Sequence, residues 1–236
     1  MITQEAIERG SVAKQIRFAR NSERQPRYTD NDWGRSMEEY LVIFNGLSNL
    51  LKHVSQMGGN LVLDIGAGTT KGISEIEKSK LGEELEFRAT VLKRHPAIED
   101  NLGYDKTHIT SVETLRGVED SSVGLALALN SIAYSASPKM TAQSIDRVLI
   151  PGGILKARFN PKDRLRDDLP YYKVHDQFTQ ELRRLGYDVC VPDVPSEELI
   201  LAVKPGINAR SASDLFYIDS GHIDFIAYEE GFFSKN

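Results

Sequence analysis

One segment of the chain combines two glycines and a carboxylate at a spacing that could do chemistry. It reads Asp64-Ile-Gly-Ala-Gly-Thr-Thr-Lys-Gly72. Gly66 and Gly68 lack a Cβ atom, so the backbone there can turn sharply and approach a bound molecule closely. Asp64, two residues before the first glycine, would repel a pyrophosphate on this loop and attract a ligand that carries positive charge. The segment therefore predicts a binding loop for a cationic ligand.

Two phosphate-binding patterns are excluded by the residues that follow. A nucleoside-triphosphate P-loop needs four residues between its glycines and then Lys-Ser or Lys-Thr, whereas Lys71 is followed by Gly72. A dinucleotide fingerprint needs glycine or alanine at position 71, which is lysine here. S-adenosylmethionine carries a sulfonium and an ammonium group, so it suits Asp64 better than either nucleotide does.

Few other residues have the types and spacing of a catalytic site. His175 lies at the start of a predicted helix and could act as a general base, although a solvent-facing helix histidine is the more common arrangement. The His, Asp and Glu residues show no metal-ligand spacing, and no Gly-x-Ser-x-Gly segment is present. We therefore predict neither a metal site nor a serine hydrolase.

A basic segment follows one of the predicted strands. Between Lys156 and Arg166 the chain has five basic residues, among them Arg158, and one acidic residue. A charged run of this kind is usually a solvated loop. The more specific interpretation is a contact with an acidic substrate, such as a carboxylate, a phosphate or an RNA segment.

The elements that must position these residues follow from the spacing of apolar side chains. Apolar residues recur every three or four positions over 37–54, which predicts an amphipathic helix that Gly58-Gly59 ends. Short apolar runs predict seven strands, and periodic segments between them predict three further helices. The strands lie at 61–65, 84–92, 108–112, 123–129, 154–159, 187–191 and 199–203, with helices at 70–80, 140–150 and 172–185.

Strands that alternate with helices predict an α/β fold, a doubly wound, mostly parallel sheet of about seven strands with helices on both faces. Residues 57–205 form this core, residues 1–56 a helical N-terminal cap, and residues 206–236 a C-terminal extension. In the extension, 215–218 and 223–228 flank a turn, which predicts a hairpin. Ligands of such sheets bind at the carboxyl ends of the strands, where the glycine loop lies.

The composition is that of a globular protein. The chain has 236 residues, 40% of them apolar, with 29 basic and 34 acidic residues and a net charge of −5. No apolar run approaches the roughly 20 residues that span a bilayer, and no secretory signal is visible, so we expect a cytoplasmic protein that does not enter a membrane. The negative charge argues against a general nucleic-acid binder, while the basic segment leaves a local contact open. The single cysteine, Cys190, excludes a disulfide framework, and nothing in the sequence indicates the oligomeric state.

Four segments together resemble the class I S-adenosylmethionine-dependent methyltransferase family. Leu61-Val-Leu-Asp-Ile-Gly-Ala-Gly-Thr69 looks like its first motif, and residues 118–130 are similar to the stretch through its fourth strand. Arg147-Val-Leu-Ile-Pro-Gly-Gly-Ile-Leu155 and Gly186-Tyr-Asp-Val189 resemble its fifth strand and the approach to its sixth. The resemblance spans residues 57–205 and implies the same fold, S-adenosyl-L-methionine as cofactor and methyl transfer as the activity.

The resemblance also implies positions for the site residues. Contacts to the reacting end of the ligand would come from Asn130, Ser131 and Tyr134, which follow the fourth strand. The family often folds its N-terminal segment over the pocket, so we expect Trp33 and Tyr40 in a lid, with Arg158 on the substrate side. The cofactor contacts implied are Asp64, Gly66, Ala67, Gly68, Thr69, Lys93, Ser111, Val112, Glu113, Asn130 and Ser131.

Three positions depart from the family pattern. Lys93 stands where the family has an acid that binds the ribose hydroxyls, Ser111 where it often has an aspartate, and Val123-Gly124 where it often has Phe-Asp. The cofactor would then be held by other groups, such as Glu113 or backbone amides. Alternatively, Lys93 and Arg94 would bind the 2′-phosphate of NADP, or the domain would have lost its cofactor and act as a scaffold.

The function predicted from the sequence is methyl transfer from S-adenosylmethionine to an unidentified, small-molecule or acidic acceptor. The alternatives are a catalytically silent binding or scaffold protein and an NADP-binding oxidoreductase. Methyl transfer needs alignment and exclusion of water more than a fixed set of catalytic groups. The catalytic residues are therefore not fixed by the sequence, and the candidates are Asn130, Tyr134 and His175.

Overall fold

One seven-stranded sheet forms the centre of the part of the chain that this computed structural model describes, residues 35–44, 46–79, 81, 83–159, 171–191, 198–207 and 209–217. Its order is β3-β2-β1-β4-β5-β7-β6. Strands β1 to β5 are parallel, while β7 runs antiparallel to both β5 and β6. The predicted mostly parallel sheet is confirmed. The strands are β1 (Leu61–Ile65), β2 (Glu86–Val91), β3 (Thr107–Ile109), β4 (Val123–Leu129), β5 (Leu149–Phe159), β6 (Asp188–Cys190) and β7 (Glu198–Val203).

Helices cover both faces of the sheet. One apolar core includes side chains of α5 and α6, and the other includes side chains of α1, α2, α3 and α7. Alternate residues of β4 belong to the two cores, and all seven of its residues are buried, as expected for a central parallel strand. The described helices are α1 (Met37–Ile43), α2 (Leu47–Gln56), α3 (Lys71–Lys78), α4 (Ala97–Asp100), α5 (Pro138–Val148), α6 (Tyr171–Arg184) and α7 (Ala212–Tyr217).

The helix predicted over 37–54 is two helices rather than one. Gly46 precedes α2 with φ of +81°, a left-handed conformation that interrupts the helix after Phe44. Both Phe44 and Leu47 are buried on the same core, so the apolar spacing continues across the break and hides it in the sequence. The predicted end of the helix is confirmed, because α2 stops at Gln56 and Gly58 has φ of +75°.

Residues 151–153, which lie between the predicted helix 140–150 and the predicted strand 154–159, belong to β5. That strand starts at Leu149, directly after α5, and its register with β4 shifts between Val123 and Leu125. Gly152 has φ of +79°, and a Cβ on Gly153 would stand 2.9 Å from the carbonyl oxygen of Ile150. Gly152 and Gly153 thus lie in the irregular first part of β5, where its pairing with β4 shifts register.

The C-terminal hairpin prediction is wrong for its first half. Leu215 and Phe216 lie in α7, not in a strand. Ser211 accepts a hydrogen bond from the backbone N–H of Asp214 at 3.1 Å, and Asp188 accepts one from that of Ala212 at 2.7 Å, so the start of the helix is capped. The second half of the predicted hairpin and residues 1–34, with Trp33, lie outside the described residues.

Candidate functional site at the carboxyl edge of the sheet

Asp64 lies at the carboxyl end of β1 and is almost completely buried, with 1% of its surface exposed. Its Oδ2 accepts a hydrogen bond from the hydroxyl of Tyr40. Its Oδ1 is also buried and has no hydrogen-bond partner among the residues that the structure describes. Burial raises the pKa of Asp64 to about 7, and the hydrogen bond from Tyr40 opposes this rise. A buried carboxyl oxygen without a donor among the described residues is unusual and needs an explanation.

The loop after β1 is held against β2 by its backbone. Gly66 donates to both the carbonyl and the hydroxyl oxygen of Thr90, each at 3.0 Å, and Ala67 donates to the same carbonyl at 3.0 Å. Asn101 donates from its side chain to the carbonyl of Thr69 at 2.8 Å. These bonds fix the turn that Gly66 and Gly68 allow with φ of +77° and +62°. The sequence did not point to Thr90 as an anchor of this loop.

The space beside Gly66 is occupied by protein, which differs from the expectation that it would leave room for a ligand. A Cβ on Gly66 would stand 2.4 Å from the Cβ of Ser131. Ser131 donates from its hydroxyl to the carbonyl of Ile65 at 2.5 Å. The glycine is therefore required by the contact between the loops after β1 and β4, and this contact brings Ser131 beside the end of β1.

Asn130 provides a second unpaired acceptor at the same edge. It follows β4 directly and has φ of +63°, a conformation that asparagine tolerates better than most residues. Its backbone N–H donates to the carbonyl of Arg158 at 2.8 Å, while its Oδ1 is buried without a hydrogen-bond partner in the described part of the chain. Since β1 and β4 are adjacent and parallel, two buried oxygens without donors, from Asp64 and Asn130, lie at one edge of the sheet.

Glu113, a predicted cofactor contact, makes hydrogen bonds inside the protein. It is buried, and its Oε1 accepts hydrogen bonds from the Ser135 hydroxyl at 3.0 Å and the Ala136 backbone N–H at 2.6 Å. This carboxylate thus stabilises the segment that leads into α5. Ser111 and Val112, its predicted neighbours in the site, are buried in the turn after β3.

The cations after β2 are exposed. Lys93 lies two residues beyond the end of β2, and Arg94 lies over the ring of Tyr104 at 5.3 Å. Lys93 is thus an exposed cation at the position where the resemblance implies an acid that binds the ribose hydroxyls.

His175 is not the solvent-facing helix residue that was the more common expectation. Only 12% of its side chain is exposed, and its ring meets that of Phe159 edge-on at 5.0 Å. Its Nδ1 lies 3.2 Å from Oδ1 of Asp176, whereas its Nε2 is buried with no hydrogen-bond partner among the described residues. Tyr134 lies in a short 3₁₀ turn after β4, partly buried against the core.

The basic segment begins inside the fold. Lys156 has only 2% of its surface exposed, and its Nζ lies 6.0 Å from the ring centre of Phe216. Arg158 is partly buried near the end of β5. The rest of the segment, 160–170, lies outside the described residues. In the part of the chain that the structure describes, no group of three His, Cys, Asp or Glu side chains could hold a metal ion. No helix in that part is long and apolar enough to cross a membrane.

The strand order, with β7 antiparallel at one side, is that of the class I methyltransferase fold, and comparison with solved structures agrees. The [4+2]-cyclase SpnF aligns with a TM-score of 0.50 at 16% identity, over 75% of this chain and 85% of the cyclase. The trans-methyltransferase CalH, solved with SAH, also aligns with a TM-score of 0.50 at 16% identity, over 71% of this chain and 58% of CalH. A SAM-dependent methyltransferase from Aquifex aeolicus aligns with a TM-score of 0.48 at 19% identity, over 70% and 90% of the two chains.

At these identities the likeness shows the fold alone. No protein-family model matches the chain, and no curated protein matches it. The structures that share the fold include both a cyclase and a methyltransferase, so the function must be argued from the site.

Proposed function

We propose that the protein binds S-adenosyl-L-methionine and transfers its methyl group to an acceptor that is still unidentified. The observation that carries the proposal is the buried Oδ1 of Asp64 at the end of β1, which has no hydrogen-bond partner in the described part of the chain. A buried acceptor without a donor costs free energy, so a site of this kind is expected to receive a donor from a ligand. An ammonium group of the cofactor would supply both the donor and the opposite charge.

The residues at the carboxyl edge fit this cofactor. Asp64 and Asn130 would hold its donor groups, because their buried oxygens, which lack a partner among the described residues, lie at the ends of two adjacent strands. The tight turn at Gly66 and Gly68 would hold the loop after β1 at the same edge of the sheet as these two oxygens. When bound, the cofactor supplies a methyl carbon that is already activated by a positive sulfur. The protein's contribution is then to orient the two reactants and to exclude water.

The acceptor would reach the site from the side of β5 and α6. Arg158 and the basic segment that follows it support an acidic acceptor, such as a carboxylate or a phosphate. His175 would accept a proton or a hydrogen bond from the substrate. Its buried Nε2, which has no partner among the described residues, supports this role.

A binding protein without methyltransferase activity is the second candidate. The observation that favours it is the exposed Lys93 after β2, where the resemblance leads one to expect an acid on the ribose hydroxyls. An NADP-binding protein would use the same cation for a phosphate. The carboxylate of Asp64 argues against that ligand, because it would repel the pyrophosphate.

Calorimetric titration at pH 8 with S-adenosylhomocysteine and, separately, with NADPH tests the proposal. We expect binding of the first and none of the second. Asp64→Ala should weaken S-adenosylhomocysteine binding at least tenfold, about 1.4 kcal/mol. Asp100→Ala, which removes the same charge from an exposed position on α4, is the matched control and should bind like the wild type.

Binding of NADPH alone would support the oxidoreductase, and binding of neither ligand would support the scaffold. Unchanged affinity in a folded Asp64→Ala variant would mean that the ligand does not use the free oxygen at the end of β1.

A further inference from the structure

Helix α1 contacts the carboxyl edge of the sheet through a hydrogen bond to Asp64. Tyr40 is buried, with 4% of its surface exposed, and its hydroxyl donates to Oδ2 of Asp64. Its ring meets that of Phe44 at 5.9 Å in an edge-to-face arrangement. The helix is also tied to α3, because the backbone N–H of Met37 donates to Oε2 of Glu75 at 2.7 Å.

Gly72 on α3 makes room for this contact. A Cβ at Gly72 would stand 2.5 Å from the carbonyl oxygen of Arg35 and 2.8 Å from two ring carbons of Tyr40. None of these three atoms is the far end of a flexible side chain. Helix α1 could therefore not keep this position if residue 72 carried a side chain. The tyrosine is therefore held over the start of α3 by close packing of its ring as well as by its hydrogen bond.

The hydrogen bond divides the two oxygens of Asp64 between two tasks. Oδ2 is engaged by Tyr40, whereas Oδ1 is left without a partner among the described residues. A carboxyl group without such a restraint can rotate about its last bond and exchange its oxygens. A donor that is fixed on one oxygen stops this rotation, so the other oxygen keeps a single orientation. The arrangement prepares the carboxylate for a ligand before the ligand arrives.

We propose that Tyr40 is a positioning residue, whose hydroxyl orients Asp64 so that its free oxygen receives the cationic group of the ligand. This inference rests on the proposed function, because that function supplies the ligand. It assigns to Tyr40 a task inside the site, which differs from the lid that the sequence suggested. Tyr40 does not itself need to contact the ligand or the reacting atoms.

The same hydrogen bond affects the charge of the carboxyl group. Burial raises the pKa of Asp64, and the Tyr40 hydroxyl is the group that lowers it again. Burial and the neighbouring charge of Asp64 hold the pKa of Tyr40 well above its ordinary value, with Arg35 opposing and Glu39 adding to this rise. Tyr40 therefore stays protonated and able to donate from pH 5.5 to 9. Glu75, on α3, receives the Met37 N–H on the same face of α1.

Titration of Tyr40→Phe with S-adenosylhomocysteine from pH 5.5 to 9 tests the inference. Phenylalanine keeps the ring on Gly72 and Phe44 and removes only the hydroxyl. We expect binding about tenfold weaker at pH 7, with the midpoint of its pH profile moved upward from about 7. At pH 9 the difference should narrow, since the carboxyl group is then ionised in both proteins.

Tyr187→Phe is the matched control, because the Tyr187 hydroxyl also donates to an aspartate, Asp146, at 3.1 Å on the α5 side of the sheet. It should leave both the affinity and the midpoint unchanged. A Tyr40→Phe variant with wild-type affinity and midpoint would overturn the inference and reduce Tyr40 to a packing residue.

A measurement without ligand separates this inference from the proposed function. Carbon-13 NMR of the Asp64 carboxyl group should show a higher pKa in Tyr40→Phe than in the wild type and no change in Tyr187→Phe. If this shift occurs but the wild type binds no S-adenosylhomocysteine at any pH, the proposed function fails and the positioning role with it, although the coupling of the two residues stands. If the shift is absent while the wild type binds, only the positioning role fails.

Discussion

Burial of Asp64 at the end of β1 destabilises its charged form. Its pKa rises from 3.8 to about 7 on burial, and a rise of this size corresponds to about 4 kcal/mol in favour of the neutral form. A hydrophobic residue at the end of β1 would avoid that cost. Its position in the sequence predicts a role in binding, and the buried oxygen that lacks a partner among the described residues is consistent with the proposed role.

Replacing Asp64 by asparagine should stabilise the ligand-free protein at pH 8. A carboxyl group whose pKa is raised by folding favours the folded state at low pH, and that contribution is lost as the pH rises from about 4 through 7. Asparagine removes the buried charge, so we expect Asp64→Asn to be more stable than the wild type by about 2 kcal/mol at pH 8. The gain is smaller than the full charge cost because the new amide lacks a partner.

Urea unfolding of both proteins at pH 5 and pH 8 measures this difference. The gain should be smaller at pH 5, where the wild-type carboxyl group is mostly protonated. An equal gain at both pH values would show that the charge of Asp64 is not what the substitution relieves.

At the scale of elements, the packing of α1 on α3 brings Tyr40 to Asp64. The sequence predicted a helix in this region and a ligand-facing loop after β1, but not that Tyr40 would join them. The two residues of that hydrogen bond are 24 positions apart, and helical periodicity carries no information on which residue of another element a side chain will reach. The one local signal was Gly72, a glycine just inside α3, where helix propensity alone disfavours it.

Gly72→Ala should displace α1 without altering any ligand-facing group. The added Cβ would overlap the Arg35 carbonyl and the Tyr40 ring, and overpacking of this kind costs about 1–3 kcal/mol. We expect a loss of stability in that range, offset in part by the better helix propensity of alanine, and weaker binding of S-adenosylhomocysteine.

A double-mutant cycle with Tyr40→Ala, read by urea unfolding, checks the cause. The effect of Gly72→Ala should be smaller when the Tyr40 ring is absent, because the overlap of the new Cβ with the ring has then been removed. Strict additivity of the two substitutions would contradict the contact.

At the scale of the whole molecule, the order of the elements was far easier to predict than their boundaries at irregular places. The apolar strands and the periodic helices gave the mostly parallel sheet, because burial on both faces leaves a strong pattern in β1 and β4. The break at Gly46 was missed because the apolar spacing continues across it. The early start of β5 was missed because it depends on backbone hydrogen bonds with Lys204. The helix at Leu215 was missed because its start is capped by Asp188, which is distant in the sequence.

In the candidate site, the sequence placed Asp64 in the first strand, where the structure has it, and its role in binding stays a prediction. The hydrogen bonds of Glu113 to Ser135 and Ala136, 22 and 23 residues away, left no signal in the sequence.

Ligand binding and global stability should depend on pH in opposite directions. The ligand needs the ionised form of Asp64, and with a pKa of about 7 that form is about ten times more abundant at pH 8 than at pH 6. A ligand at 100 times its Kd stabilises the folded protein by about 2.7 kcal/mol. The same ligand concentration at pH 6 should therefore give about 1.4 kcal/mol less.

Thermal unfolding with a fixed concentration of S-adenosylhomocysteine at pH 6 and pH 8 makes this difference visible. For a chain of this length each kcal/mol moves the melting temperature by about 2–4 °C, so the shift caused by the ligand should be several degrees larger at pH 8. The comparison is made within each pH, which removes the change in stability of the ligand-free protein. Asp64→Asn is the control, because a side chain that does not titrate should give a small shift that is equal at the two pH values. A wild-type shift that is as large at pH 6 as at pH 8 would mean that the ligand binds without requiring the charge of Asp64.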